Sequence, residues 1–272
     1  MPLSPLLRGY DRVLLDLDGC VWVGDRPTPD AVEAIDALRA GGVAVAFVTN
    51  NAMHLAEEFV QRLWSMGFRA SLEEVVTAGA AVQHALVDRP QWRSAYVIGA
   101  PALHRHVEAA GVRIVNGGDL QTRPDVVVVA ASPSFGFEDL RIATLGVFAG
   151  AAILASDADA HYPTPEGPCP GTGAILAALR TATGVEPLVA GKPEPDIFNV
   201  ALERLGATPG EGRVLVIGDR LDADVAGAHA AGLDAALVLT GATTHAESRD
   251  LDPAGPVPIT VGATLADLVL AR

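Results

Sequence analysis

Residues 12–51 read RVLLDLDGCVWVGDRPTPDAVEAIDALRAGGVAVAFVTNN. Two aliphatic runs of strand length flank a stretch with helical spacing. Their hydrophobicity is continuous rather than alternating, which is the pattern of strands covered on both faces in a parallel sheet. Pro29 and Asp30 suit the start of the intervening helix, and Gly41 and Gly42 suit its end. The separation of Asp16 from Thr49 matches the ~30 or more residues of one strand–helix–strand unit. Both residues are therefore expected at the same carboxyl-terminal edge of adjacent parallel strands.

The same rhythm recurs outward along the chain. SAYVIG, DVVVVAA, AAILAS, PLVAG, RVLVIGD and DAALVL are further aliphatic runs separated by helix-like stretches, so the chain is α/β. Lys192 and Asp219 each follow the end of such a run, which predicts that they join Asp16, Asp18 and Thr49 on one rim. In open α/β sheets that rim binds ligands. Far more chain separates Thr49 from Lys192 than one crossover consumes. The expected architecture is a doubly wound, Rossmann-like parallel-sheet core from residues 1–77 and 188–272, with a second α/β module, residues 78–187, inserted into it.

The 272 residues are half hydrophobic, enough for a sizeable core. Acidic residues outnumber basic ones, 33 to 19, for a formal charge of -14. That balance disfavours nucleic acid or an anionic membrane surface as a partner. An anionic small substrate then needs a locally positive site or a metal ion. No apolar run approaches the ~20 residues of a membrane span, and MPLSPLLRGYDR lacks the basic start and apolar stretch of a signal peptide. A soluble, cytoplasmic protein is the expectation. Cys20 and Cys169 lie far apart without metal-ligand spacing and read as free thiols.

Taken singly, each rim residue has an ordinary structural explanation. Asp16 and Asp18 sit beside an Asp-Gly turn, and VTNN offers helix-capping types at an expected helix start. Lys192 lies in a proline-bounded turn, and Asp219, Asp222 and Asp224 suit the first turn of a helix. Accident is a poor account of acids, hydroxyl and amide donors and a lysine all converging on one rim. Carboxylates with oxygen donors nearby suit a hard divalent ion such as Mg²⁺, which also binds substrate phosphate. PGTG at residues 170–173 lacks the Gly-Lys-Ser/Thr ending of a P-loop and reads as a turn into a helix.

In this order, DLDGCVW, VTNN, GKPEPDIF and GDRLDADVAGA resemble the four motifs of the haloacid dehalogenase superfamily. TPEGPCPGTGAILAALRTATG and LTGATT extend the likeness to its NagD-like, nitrophenylphosphatase-like branch, whose members carry a large inserted cap. The resemblance implies a Mg²⁺-dependent phosphatase in which Asp16 is the nucleophile that becomes an aspartyl-phosphate. It makes Asp18 the general acid and then the general base. Thr49 and Lys192 would hold phosphoryl oxygens, and Asn50 and Asn51 would contact the phosphate or its linkage. Mg²⁺ would be held by Asp16, the backbone carbonyl of Asp18 and Asp219, with Asp224 in close support.

By the same resemblance, SPSFGFEDL and DADAHYPTPEG face the site from the cap, and His161 and Tyr162 would contact the leaving group. Met53 and His54 stand where relatives carry a small hydroxyl residue and a basic one. Substrates in keeping with the motifs are small phosphate monoesters: glycerol phosphate, phosphoglycolate, pyridoxal phosphate, sugar phosphates or nucleoside monophosphates. A homodimer through the cap is the implied assembly. Two other readings stand beside the phosphatase, a phosphometabolite sensor without turnover and a hydrolytic dehalogenase. Cys20 takes the place of Thr or Val in relatives and is expected to pack behind the acids.

Overall fold

The run at the head of the chain becomes β1 (Arg12–Leu15), an interior strand whose Val13, Leu14 and Leu15 are buried. The computed structural model describes residues 1–117, 123–164, 166–207, 210–252 and 255–271. Two compact bodies make up the chain. One is Met1–Thr49, Ala56–Val76 and Lys192–Arg272, the other Asn50–Leu55 and Thr77–Gly191.

In chain order, β1 leads through a hairpin, β2 (Trp22–Val23) and β3 (Arg26–Pro27), to α1 (Ala31–Ala40), β4 (Ala44–Thr49), α2 (Ala56–Ser65) and β5 (Val75–Thr77). There follow α3 (Ala78–Val87), β6 (Ser94–Ile98), α4 (Pro101–Ala109), β7 (Arg113–Ile114), β8 (Val126–Val129), α5 (Phe137–Phe148) and β9 (Ala152–Ala155). A hairpin of β10 (His161–Thr164) and β11 (Gly167–Pro170) precedes α6 (Thr172–Thr183) and β12 (Leu188–Val189). The chain closes with α7 (Asp196–Arg204), β13 (Val214–Gly218), α8 (Ala226–Ala230), β14 (Asp234–Val238), β15 (Thr260–Gly262) and α9 (Leu265–Val269).

The first body is built on a six-stranded sheet in the order β15-β14-β13-β1-β4-β5. β1 pairs in parallel with β4 on one side and β13 on the other, with Leu15 opposite both Phe47 and Ile217. Because all three strands run the same way, Asp16, Thr49 and Asp219 emerge together at one edge. Below that edge Val13, Leu15, Val45, Phe47, Leu215 and Ile217 form one buried core with Ile35 and Leu38 of α1 and Leu265 and Val269 of α9. Ala31, Ala34, Ile35 and Leu38 recur at helical spacing, so α1 presents a single apolar face to the sheet.

The second body has its own five-stranded sheet, β12-β9-β8-β6-β7, whose pairings are parallel. Tyr96, Val127, Val129, Ile153, Leu176 and Leu179 lie in its core. Among the described residues no helix is long and apolar enough to cross a membrane.

Two sequence expectations change. PLVAG was expected to lead a core strand to Lys192, but β12 is a two-residue edge strand hydrogen-bonded to β9 of the second sheet. Lys192 thus enters the first body from the segment ahead of α7. VTNN was expected to open a helix, yet residues 50–55 are irregular and α2 begins only at Ala56. The cause is local: Asn51 Oδ1 accepts the backbone N–H groups of Met53 and His54, at 2.8 and 3.3 Å, and folds the chain into an Asx turn. The helix-terminal N–H groups expected beside Thr49 are therefore not supplied by α2.

Candidate active site

The rim of the first body gathers four charged side chains that burial would ordinarily forbid. Asp16, Lys192, Asp219 and Asp224 are 8%, 4%, 3% and 2% exposed, so their charges must be balanced within the cluster. Lys192 Nζ donates to Asp16 Oδ1 at 2.5 Å, to Asp224 Oδ1 at 2.7 Å and to the Val48 carbonyl at 3.1 Å. All three donor positions of the ammonium are engaged. Burial works to depress its pKa, but the two carboxylates outweigh burial and raise it, so the charge is retained.

Each acid reaches the cluster by a specific backbone route. Asp16 follows β1 directly, and its N–H donates to Ile217 O at 2.9 Å, continuing the β1–β13 ladder. Asp224 is brought back by a π-helical turn, Leu221–Val225, and its Oδ2 accepts the Arg220 N–H at 3.0 Å. Gly218 leaves room for it, since a Cβ there would lie 2.1 Å from Asp224 Cγ. Asp219 is cradled by Gly19 and Gly241: a Cβ on either would come within 2.3 Å or 1.9 Å of its Oδ2. Gly19 also has φ +92°, a conformation that favours glycine. The Ala242 N–H donates to the same Oδ2 at 2.5 Å.

Three carboxylates face one ammonium, which leaves an excess of negative charge in a dry site. Burial pushes Asp16 well above the usual carboxylate range, Lys192 opposes the rise, and Asp224 and Asp219 add to it. Burial, followed by Asp224, raises Asp219 from 3.8 to about 6 against the pull of the Ala242 N–H and Lys192. Asp219 Oδ1 is buried and has no hydrogen-bond partner among the described residues. Carboxylate oxygens of Asp16, Asp219 and Asp224 lie within 4.8 Å of one another. An orphaned acceptor, surplus negative charge and an all-oxygen donor set fit a hard divalent cation such as Mg²⁺.

Asp18 differs from its neighbours. It is exposed, and its Oδ1 accepts the indole N–H of Trp22 at 2.8 Å. Thr49 is buried at the end of β4. Asn50 and Asn51 cluster with the second body, where Asn50 Nδ2 donates to Asp159 Oδ2 at 3.2 Å. His161 and Tyr162 sit on β10 of that body, opposite Pro170 and Cys169 of β11. Pro165, within the quoted cap stretch, lies outside the described residues. Asp222 is held at the surface by Arg220.

Cys20 is fully buried, with Sγ 3.5 Å from the Ile217 carbonyl. Burial first, and then Asp16, Asp219 and Asp224, push its thiol well up, so it stays protonated and packs. Sequence reasoning missed Trp22, Gly218, Gly241 and the Ala242 N–H. Only the glycines left a trace, in the runs IGD and LTGATT.

Comparison with known proteins places the chain in a family. A family model described as haloacid dehalogenase-like hydrolase matches residues 13–113, and a HAD-hydrolase-like model matches residues 189–268. The chain is 40% identical over 254 residues to the D-glycerol 3-phosphate phosphatase of Mycobacterium tuberculosis, covering 92% of this chain and 69% of that one. It is 34% identical to an acid sugar phosphatase of Staphylococcus aureus, over 88% of this chain and 90% of the relative. The crystal structure of the M. tuberculosis glycerol phosphate phosphatase in complex with magnesium superimposes with a TM-score of 0.88 at 38% identity, covering 98% of this chain and 78% of that one.

Proposed function

The chain belongs to the haloacid dehalogenase-like hydrolases, in their NagD-like branch, and from that premise we propose that it is a Mg²⁺-dependent phosphatase of small phosphate monoesters acting through an aspartyl-phosphate on Asp16. The observation that carries the reading is the buried Asp16–Lys192–Asp224 constellation beside the orphaned Oδ1 of Asp219.

Asp16, Asp219 and the backbone carbonyl of Asp18 would hold the ion, with Asp224 in support. Bound there, Mg²⁺ would neutralise carboxylate and phosphoryl charge as a Lewis acid. The chain's own residues account for the rest. Lys192 fixes one oxygen of Asp16 and places a positive charge where a phosphate dianion must approach an anionic nucleophile. The other oxygen of Asp16 attacks phosphorus, and Asp18 gives its proton to the ester oxygen as the old P–O bond breaks. In the second half-reaction, water attacks the phosphoryl-aspartate and returns a proton to Asp18. The Asp16–phosphorus bond then breaks and inorganic phosphate leaves. This chemistry depends mainly on positioning and charge neutralisation.

Thr49 and Asn50 are assigned to phosphate binding and Asn51 to its periphery. His161 and Tyr162 are assigned to reading the leaving group. Glycerol phosphate and sugar phosphates head the substrate list, since the relatives above are named for them. Phe137, Leu145 and Phe148, exposed on α5, are the face assigned to a homodimer, which light scattering would test. The mechanism is tested by turnover of p-nitrophenyl phosphate with Mg²⁺, with EDTA and in Asp16→Asn. Activity that survives either EDTA or the substitution sinks it. A panel of phosphorylated metabolites ranked by kcat/KM identifies the substrate.

A further inference from the structure

Asp18 poses a problem that the reaction itself does not solve. It is an exposed carboxylate on a flexible side chain, yet it must deliver a proton to one ester oxygen and later collect one from water. A freely rotating carboxyl would offer either oxygen in many orientations.

The turn behind it answers this. The N–H groups of Val21 and Trp22 donate to Leu17 O at 2.9 and 3.1 Å, and Gly19 N–H donates to Trp22 O at 2.7 Å. This tight turn places the Trp22 indole N–H 2.8 Å from Asp18 Oδ1. Trp22 is itself immobilised. It is fully buried and stacks nearly parallel to Phe59 of α2, at 5° and 6.4 Å between centroids. The Arg62 guanidinium lies 4.5 Å from the centre of its ring and donates to the Gly24 carbonyl at 2.6 Å, tying the hairpin that carries Trp22 to the same helix.

An indole N–H is a donor only. The oxygen facing that N–H acts as an acceptor, and the carbonyl oxygen of a carboxyl group accepts better than its hydroxyl oxygen, so the contact favours the acid proton on Oδ2. Resting on the assignment of Asp18 above, we propose that Trp22 is a positioning residue that dedicates Oδ2 of Asp18 to proton transfer in both half-reactions. Oδ2 gives its proton to the ester oxygen as the ester P–O bond breaks and the Asp16–phosphorus bond forms. It takes one from water as the new P–O bond forms and the Asp16–phosphorus bond breaks. Phe59 and Arg62 act one step further out, by holding the ring.

Substrates differ in how much they need this proton. An alkyl ester such as glycerol phosphate expels a poor leaving group and depends on the acid, whereas p-nitrophenolate departs with little help. The test compares kcat/KM for the two esters in wild type, in Trp22→Phe and in protein carrying the benzothiophene analogue of tryptophan at position 22. The analogue keeps the ring's shape and removes only the N–H. The expected result is a fall of about tenfold or more on glycerol phosphate and less than about threefold on p-nitrophenyl phosphate, with competitive inhibition by inorganic phosphate unchanged. Equal losses on both esters, or none with the analogue, overturn the proposal. Asp18→Asn run in parallel separates the two ideas. If it spares glycerol phosphate turnover, the role of Asp18 has failed; if it abolishes turnover while the analogue leaves the ratio unmoved, only that of Trp22 has.

Discussion

Asp157, in the second body, is buried outside the catalytic cluster, and its titration should set the pH dependence of that body's stability. It is 6% exposed; Ser156 Oγ and Thr172 Oγ1 donate to its Oδ2 at 2.6 and 2.8 Å, and the Asp159 N–H donates to its Oδ1 at 3.0 Å. Burial above all, and then the charge of Asp159, raise its pKa from 3.8 to about 6, even though the three donors pull it down. Between those values the folded state holds a proton that the unfolded chain has released. Stability is therefore fully present below the unfolded pKa, falls as pH rises toward 6, and is flat above it. A displacement of about two pH units corresponds to ~3 kcal/mol. Asp157→Asn keeps an acceptor and cannot ionise, while Thr172, which also accepts the Ala131 N–H at 2.9 Å, can take the amide as donor. Urea unfolding of wild type and Asp157→Asn at several pH values from 4 to 7.5 isolates the effect, because contributions from other acids, Asp219 included, cancel in the difference. The wild type should lose ~3 kcal/mol relative to the variant across that range. Parallel stability–pH curves for the two proteins would refute the argument.

Three further outcomes follow from the rim. Gly241→Ala puts a methyl group 1.9 Å from Asp219 Oδ2 and 2.7 Å from Gly19 Cα, so Asp219 must move; Mg²⁺ affinity by calorimetry should drop about 10- to 100-fold. Cys20→Val should retain most activity, and the native Cys20 thiol should resist alkylation until the protein unfolds, because burial holds it protonated. Mg²⁺ should raise the melting temperature at pH 7.5 by binding only the folded state. That increment should shrink as pH falls through about 6, where Asp219 takes up a proton.

Much of the fold was legible because its signals are local. Every one of the eight aliphatic runs picked out in the sequence contains a strand, from Arg12–Leu15 to Asp234–Val238. Two three-residue strands, Val75–Thr77 and Thr260–Gly262, escaped notice because so short a run has no periodicity to read. The partner of PLVAG was misplaced for a related reason. Aliphatic character marks a strand but does not say which sheet it joins, and β12 closes the edge of the second sheet instead of lengthening the first. At the rim, the acids and Lys192 were legible as residue types at the ends of runs. Trp22 was not, since an aromatic residue in a hairpin normally reads as core and its N–H acquires a target only once the turn over Leu17 has formed.

Hydrophobic patterning along the chain thus determined by itself that this is an α/β protein with a parallel sheet, and the motif order DLDG, VTNN, GKPEP and GDRLDAD determined which side chains were available for phosphate chemistry. Only the tertiary structure decided that Lys192 spans Asp16 and Asp224, that Asp219, cradled by two glycines at its Oδ2, keeps its Oδ1 without a hydrogen-bond partner among the described residues, and that Trp22 holds Asp18 by one oxygen. The reason is physical. Periodicity is a property of neighbouring residues, whereas the energy of a buried charge depends on partners far along the chain: Lys192 reaches Asp16 at 2.5 Å from the segment ahead of α7, a placement no local pattern encodes.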